Sequence, residues 1–258
     1  MMQYLTFLLL GFIGGTASGL LGIGGGIVII PLLVYITNIS PKAATAISMI
    51  QVFFASSFGT LFNYLQKNIK IKYAVYFGIS SMAFSFLGSF LTKYIPDLTI
   101  KIIYFLSALT ALALFLSRRK EDNIAGKEIV FDKYKFLKVV PLGALAGLIG
   151  GILGVGGGFL YVPILMYFFN FPIPIAVGTS LMIVLFNSVP GVVGKVISVE
   201  FDIVTAIIVA VGAIGGSRLG TYLNKRVKPL IIKIIFIIII ILIIVRVAID
   251  LYSYLTVI

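Results

Sequence analysis

Two stretches, GLLGIGGGIVIIPLLVY from Gly19 to Tyr35 and GGILGVGGGFLYVPILMY from Gly150 to Tyr167, each place a GxGGG run inside an otherwise apolar segment. Glycine lets a backbone approach a ligand with no side chain in between. The half-helix after such a break directs free N–H groups and the positive end of its dipole at the gap. The chemistry on offer at Gly24, Gly25 and Gly26, and again at Gly156, Gly157 and Gly158, is therefore the binding of a small anion. The span after each run carries groups that can donate to oxyanion oxygens without burying a charge. These are Ser48, Gln51, Ser56, Ser57 and Asn63 in the first case, and Thr179, Ser180, Asn187 and Ser188 in the second. Any one of them also reads as glue between helices, and Gly11, Gly15 and Gly19, four apart, read as a packing stripe. Ser48 with Ser180 and Ser56 with Ser188 recur at equivalent places beside the two runs, which favours the ligand reading. Arg218, in VGAIGGSRLGTYL, is a cation inside a glycine-rich span: it either meets a bound anion or snorkels to headgroups.

Other chemistries lack their residues. There is no Cys and no His among the 258 residues, and the eight carboxylates form no pair within an apolar span. Thiolate and imidazole chemistry, haem and iron–sulfur ligation by the usual residues, and a metal or hydrolytic centre have little to be built from. We expect no enzyme, no cofactor and no metal. GIGGG also lacks the GK[ST] ending of a phosphate loop and follows no strand.

The elements that must position these groups are membrane helices. With 60% apolar and 11% charged residues, and runs of about 20 or more uncharged residues, the chain cannot hide its apolar surface in one soluble core. Alternating barrel strands are absent. The first apolar stretch follows no Lys or Arg and meets no clear cleavage site, so it reads as a retained segment rather than a signal peptide. The net charge of +12 sits mostly in loops, as the positive-inside bias requires, and does not imply nucleic acid.

Shifting the chain by 132 residues aligns the glycines of the two runs, and Pro31 with Pro163. The register then holds through Tyr35 and Tyr167, Asn38 and Asn170, and Gly59 and Gly191, as far as Lys101 and Lys233. This reads as an internal duplication. The fold class we expect is an all-α polytopic membrane protein of two homologous four-segment repeats, each starting with a glycine-broken helix. Residues 1–117 form the first repeat, with segments at 4–36, 43–65, 72–94 and 98–117. Residues 118–137 form a charged, cytoplasmic linker. Residues 138–258 form the second repeat, with segments at 138–169, 176–198, 203–223 and 229–253. Arg246 and Asp250, four apart, are expected to pair within the last span.

A single helix over 4–36 would run about 50 Å against a hydrocarbon core of about 30 Å. If the broken segments cross once, the repeats are parallel; if they re-enter, the second repeat is inverted. The re-entrant arrangement collects fourteen Lys and Arg (67–72, 118–138 and 225–233) on one side and leaves only Lys42, Lys93, Lys101 and Lys195 in loops opposite. That steep split favours inversion.

The duplicated GxGGG…P segment, with ATAISMI after the first copy and AVGTSLMIVLFNSVPG and GGSRLG in the second, resembles the TauE/SafE family of sulfite-exporter-like permeases. The first copy departs from the pattern, with Ala46-Ile47-Ser48 where the second has Gly178-Thr179-Ser180, so equal contributions from the halves do not follow. The resemblance implies a secondary transporter in the cytoplasmic membrane, exporting sulfite, another sulfur oxyanion or an organosulfonate. The residues agree on an anion site. The expected partners are a small anionic substrate and membrane lipids. A passive anion channel and a non-transporting scaffold are the alternatives.

Overall fold

The computed structural model describes residues 2–117 and 133–256. Residues 118–132 of the expected linker lie outside the described residues, and those from Lys133 onward already belong to a helix. Ten α-helices follow one another: α1 Met2–Leu21, α2 Gly26–Thr37, α3 Pro41–Leu65, α4 Ile71–Leu91, α5 Asp97–Leu116, α6 Lys133–Leu153, α7 Gly158–Phe169, α8 Ile173–Ser198, α9 Ile203–Arg226 and α10 Pro229–Thr256. No strand occurs among the described residues. Seven of the helices are long and apolar enough to cross a membrane, while 26–37, 137–153 and 158–169 are shorter apolar helices. The first residues of α7, α8, α9 and α10 each lie 132 positions after those of α2, α3, α4 and α5.

Local chemistry sets these ends. Ser40 caps α3 by accepting from the Ala43 N–H, with Pro41 in the first turn, where its missing N–H costs nothing. The Asp202 carboxylate caps α9 by accepting from the Val204 and Thr205 N–H groups. The short helices α2 and α7 both stop at an asparagine in the left-handed region, Asn38 (φ 56°) and Asn170 (φ 57°), where the cap N–H bonds back to Leu33 or Leu165.

Helix directions follow from which residues touch. Gly11, Gly15 and Gly19 of α1 lie against Val209, Ala213 and Ser217 of α9, so these two helices run parallel at close approach. Gly143, Gly147 and Gly151 of α6 lie likewise against Ser80, Ser81 and Ser85 of α4. Gly59 of α3 meets Leu181 of α8 while Gly191 of α8 meets Met49 of α3, so α3 and α8 are antiparallel. Short turns reverse α3 into α4 and α8 into α9. Hence α1, α3 and α9 run one way and α4, α6 and α8 the other. The α5–α10 pair is antiparallel too, with Phe115 stacked on Phe236 at one end and Lys101 bonded to Asp250 at the other. Each of these helices therefore runs opposite to its counterpart 132 positions later. The 66–70 turn, the start of α6 and the end of α9 share one end of the bundle.

Two short helices fold back inside. Gly157, at the head of α7, packs on Ala146 of α6, and the Tyr161 hydroxyl reaches the Gly143 carbonyl, so α7 returns along α6. Gly25, at the head of α2, packs in the same way on Gly14 of α1. At about 18 Å each, neither α2 nor α7 spans a bilayer. The outside of the bundle is apolar, as lipid requires: α10 leaves Ile238, Ile241, Leu242 and Val245 exposed. One expected pair is corrected. Asp250 accepts from Lys101 at 2.6 Å across the α5–α10 contact, and Arg246 instead lies 4.0 Å over the Tyr35 ring.

Candidate anion-binding site

Between α1 and α2, Gly22, Gly24 and Gly25 adopt φ of 74°, 75° and 82°; between α6 and α7, Gly154, Gly156 and Gly157 adopt 70°, 65° and 74°. A side chain in that region costs roughly 1–2 kcal/mol, which is why the turns are written in glycine. The two turns abut. A β-carbon at Gly24 would stand 3.1 Å from methyls of both Val52 and Val184, and one at Gly156 would stand 2.9 Å from the same two methyls. Gly26 faces Val155 and Gly158 faces Ile23 across the contact. Val52 and Val184 lie near the middles of α3 and α8, so the turns meet at mid-depth.

Two serines tie the turns together crosswise. Ser48 Oγ on α3 donates to the Gly154 carbonyl at 2.8 Å, and Ser180 Oγ on α8 donates to Gly22 at 2.8 Å and to Gly158 at 3.3 Å. Asn187 Nδ2 donates to the Tyr161 hydroxyl at 2.7 Å and to the Gly156 carbonyl at 3.3 Å, while its Oδ1 accepts from Ser81. The fold thus brings together Gly24, Gly25, Gly26, Gly156, Gly157, Gly158, Ser48, Ser180 and Asn187. It does not bring in Ser56, Ser57 and Asn63, which bond back to Phe53 and Gly59 within α3, nor Thr179, Ser188 and Arg218. Thr179 Oγ1 accepts from the Lys70 N–H at 3.1 Å, Ser188 bonds back to Leu185 in its own helix, and Arg218 is exposed, its guanidinium 6.0 Å over the Phe62 ring.

Two further polar groups belong to this interior. Lys195, counted above as a loop charge, is 0% exposed. Its Nζ donates to Thr92 Oγ1 at 2.7 Å, the Ile152 carbonyl at 2.8 Å and Thr45 Oγ1 at 2.9 Å. It therefore sits on the carbonyl end of α6, where the helix dipole is negative, and joins α8 to α3, α6 and the turn after α4. This is the end of the bundle opposite the 66–70 turn. The available signal was its place in VVGKVISV, apolar on both sides, opposite Asn63 in the 132-residue alignment. Gln51 on α3 is also 0% exposed, and neither its Oε1 nor its Nε2 has a partner.

Among the described residues no group of His, Cys, Asp or Glu could hold a metal ion. A cavity of about 50 Å³ lies elsewhere, between α2, α5 and α10, lined by Pro31, Val34, Tyr104 and Val247 among others; none of its lining residues is a glycine of the turns.

A bundle of long apolar helices enclosing two polar half-helix turns defines a multi-pass membrane protein. The family model described as "Sulfite exporter TauE/SafE" matches residues 7–247, and the chain belongs to that family of membrane transporters. It is 29% identical over 254 residues to the "Probable membrane transporter protein YunE" of Bacillus subtilis, covering 91% of this chain and 93% of that one. It is 28% identical over 243 residues to a "Probable membrane transporter protein" of Methanocaldococcus jannaschii, covering 88% and 89%. The "Sulfite exporter TauE/SafE family protein 3" of Arabidopsis thaliana is 33% identical over 84 residues, 32% of this chain and 17% of that protein. No solved structure matches the chain.

Proposed function

We propose that the chain is a secondary carrier that exports a small anion, in the sulfite, sulfur-oxyanion or organosulfonate class, through one site where the two glycine turns meet. The observation that carries this reading is the abutment at mid-depth of two half-helix N-termini, the heads of α2 and α7, at Gly24–Gly26 and Gly156–Gly158. Their dipoles and free N–H groups favour an anion, and Ser48, Ser180 and Asn187 fix the turns around it. Thr179, Ser188 and Arg218 stand outside this contact.

In this reading residues 1–117 and 138–258 are inverted copies. Opposed helix directions support it, and so does the basic end at 66–72, 133–138 and 225–228, which the positive-inside bias makes cytoplasmic. Lys195 then closes the external end. Access alternates when one copy tilts against the other, which requires its bonds to Thr45 and Thr92, both in the first copy, to give way.

The test is counterflow of labelled sulfite and methanesulfonate in proteoliposomes. Saturable uptake, accelerated by unlabelled anion inside, is expected. Unsaturated flux with single-channel currents would assign a channel, and no flux of any anion would assign a scaffold; either overturns the carrier.

A further inference from the structure

The two turns occupy equivalent positions but differ in how far they satisfy themselves. In the second, the N–H groups of Gly154, Val155 and Gly156 donate to Gly151 and Gly150, and the carbonyls of Gly154, Gly156 and Gly158 accept from Ser48, Asn187 and Ser180. Only the N–H groups of Gly157, Gly158 and Phe159 are left without an acceptor among the described residues. In the first turn, Gly22 N–H bonds to Ser18, and then five successive N–H groups, from Ile23 to Ile27, have none. All five residues are buried.

Gln51 makes the difference sharper. Its Nε2 lies 2.8 Å from the place a β-carbon on Gly25 would occupy, so the amide sits over the head of α2. Both its polar atoms are enclosed and unpartnered, which is costly unless a ligand meets them. Its counterpart in the second half is Ile183, which needs none. Asn187, the amide of the second half, is used up in holding Gly156, Tyr161 and Ser81.

We propose, resting on the reading above, that the first turn is the half that holds the anion, and that Gln51 with the N–H groups of Ile23 to Ile27 selects a small monovalent oxyanion. The second turn is a fixed wall. Monovalence follows from the charges present. The donors are neutral, and the one buried cation beyond them among the described residues, Lys195, gives its three bonds to protein oxygens. The cost of taking an anion from water grows with the square of its charge, and no cation at the site offsets it. The Gln51 carbonyl oxygen, an acceptor, also suits an anion that keeps one O–H, as hydrogen sulfite does, better than a fully ionised one.

The experiment uses full-length protein in proteoliposomes, with labelled methanesulfonate as a monovalent probe and sulfate as a divalent one. The wild type is expected to carry methanesulfonate with at least tenfold higher affinity than sulfate. Gln51→Met keeps the side-chain length, removes two unpartnered atoms and is expected to raise the unfolding midpoint while weakening methanesulfonate affinity about tenfold or more. Phe115→Leu, at the α5–α10 contact away from both turns, is the contrast: it is expected to lower the midpoint and leave affinity within about threefold in the protein that remains folded. If the wild type transports but Gln51→Met leaves affinity unchanged or lowers stability, or if sulfate binds equally well, this assignment is overturned and the carrier reading stands. If the wild type moves no anion, the carrier reading itself has failed, and the assignment with it.

Discussion

Alanine placed at three glycines separates backbone conformation from space. Gly25 adopts φ of 82°, and a β-carbon there would lie 2.3 Å from the Gly14 carbonyl oxygen, a backbone atom of α1 that cannot retreat without moving α1 from α9. A left-handed side chain costs roughly 1–2 kcal/mol, and overpacking against rigid structure adds about 1–3, so Gly25→Ala should destabilise by about 2–5 kcal/mol. Gly24 has nearly the same φ, 75°, but its β-carbon would meet valine methyls at 3.1 Å and the Val155 carbonyl oxygen no closer than 3.3 Å. A few tenths of an ångström of side-chain movement relieves that, and about 1–2 kcal/mol is expected. Gly215 lies inside α9, with Phe12 ring atoms at 3.6 Å as its nearest neighbours. Alanine there fits and gains about 0.8–1.0 kcal/mol of helix propensity. Reversible unfolding in mixed micelles, followed by helical circular dichroism, gives all three values. Equal losses for Gly24→Ala and Gly25→Ala would refute the account of α2 folding back against α1, because the two sites share φ and differ only in what stands beside them.

Lys195→Met should stay within about 2 kcal/mol of wild type, because losing the charged bonds is offset by no longer burying the ammonium. Thr45 and Thr92 also keep Lys42 and Gly88 as acceptors. Lys195→Ala, which adds a cavity, should lose about 2–5 kcal/mol; equal losses in the same unfolding titration would show that the charge Lys195 of α8 places at the end of α6 is indispensable. Ser48→Ala and Ser180→Ala each strip a buried carbonyl of its donor, at about 1–3 kcal/mol. Because the two turns abut, the double variant should depart from additivity by about 0.5 kcal/mol or more, whereas strict additivity would mean the turns are independent. The bond from the Thr205 hydroxyl holds Asp202 below the usual carboxylate range. Its cap is therefore fully present above about pH 4, the unfolded value, and is lost as pH falls through the lower folded value. The acid limb of the stability profile should flatten in Asp202→Asn, and an unchanged limb would argue against the cap.

What could be read from residue types was what local chemistry decides. An apolar segment too long for one crossing, interrupted by GxGGG, has few places to put its helix ends, and α1 and α2 do part at Leu21 and Gly26. Ser48 and Ser180 stood out because they recur at equivalent places. What escaped was decided by partners distant in sequence. Lys195 looks like a loop charge until Thr45, Thr92 and Ile152, from three other parts of the chain, supply its oxygens. Arg246 and Asp250 have the spacing of an intrahelical pair, but Lys101 on α5 reaches the carboxylate first. Thr179, Ser188 and Arg218 have suitable chemistry, and neither composition nor spacing says which way a side chain turns on its helix. The contrast between Gln51 and Asn187 is of the same kind: both are buried amides, and only their neighbours distinguish a spent donor from a free one.

An anion held where the two glycine turns meet can be located directly. Crystals of the protein soaked with selenite, measured at the selenium absorption edge, test this placement most directly. An anomalous peak is expected within hydrogen-bonding distance of the N–H groups of Gly24 to Gly26, beside Gln51. Peaks confined to Arg218, Lys195 or the basic loops, with none at the turns, would contradict it.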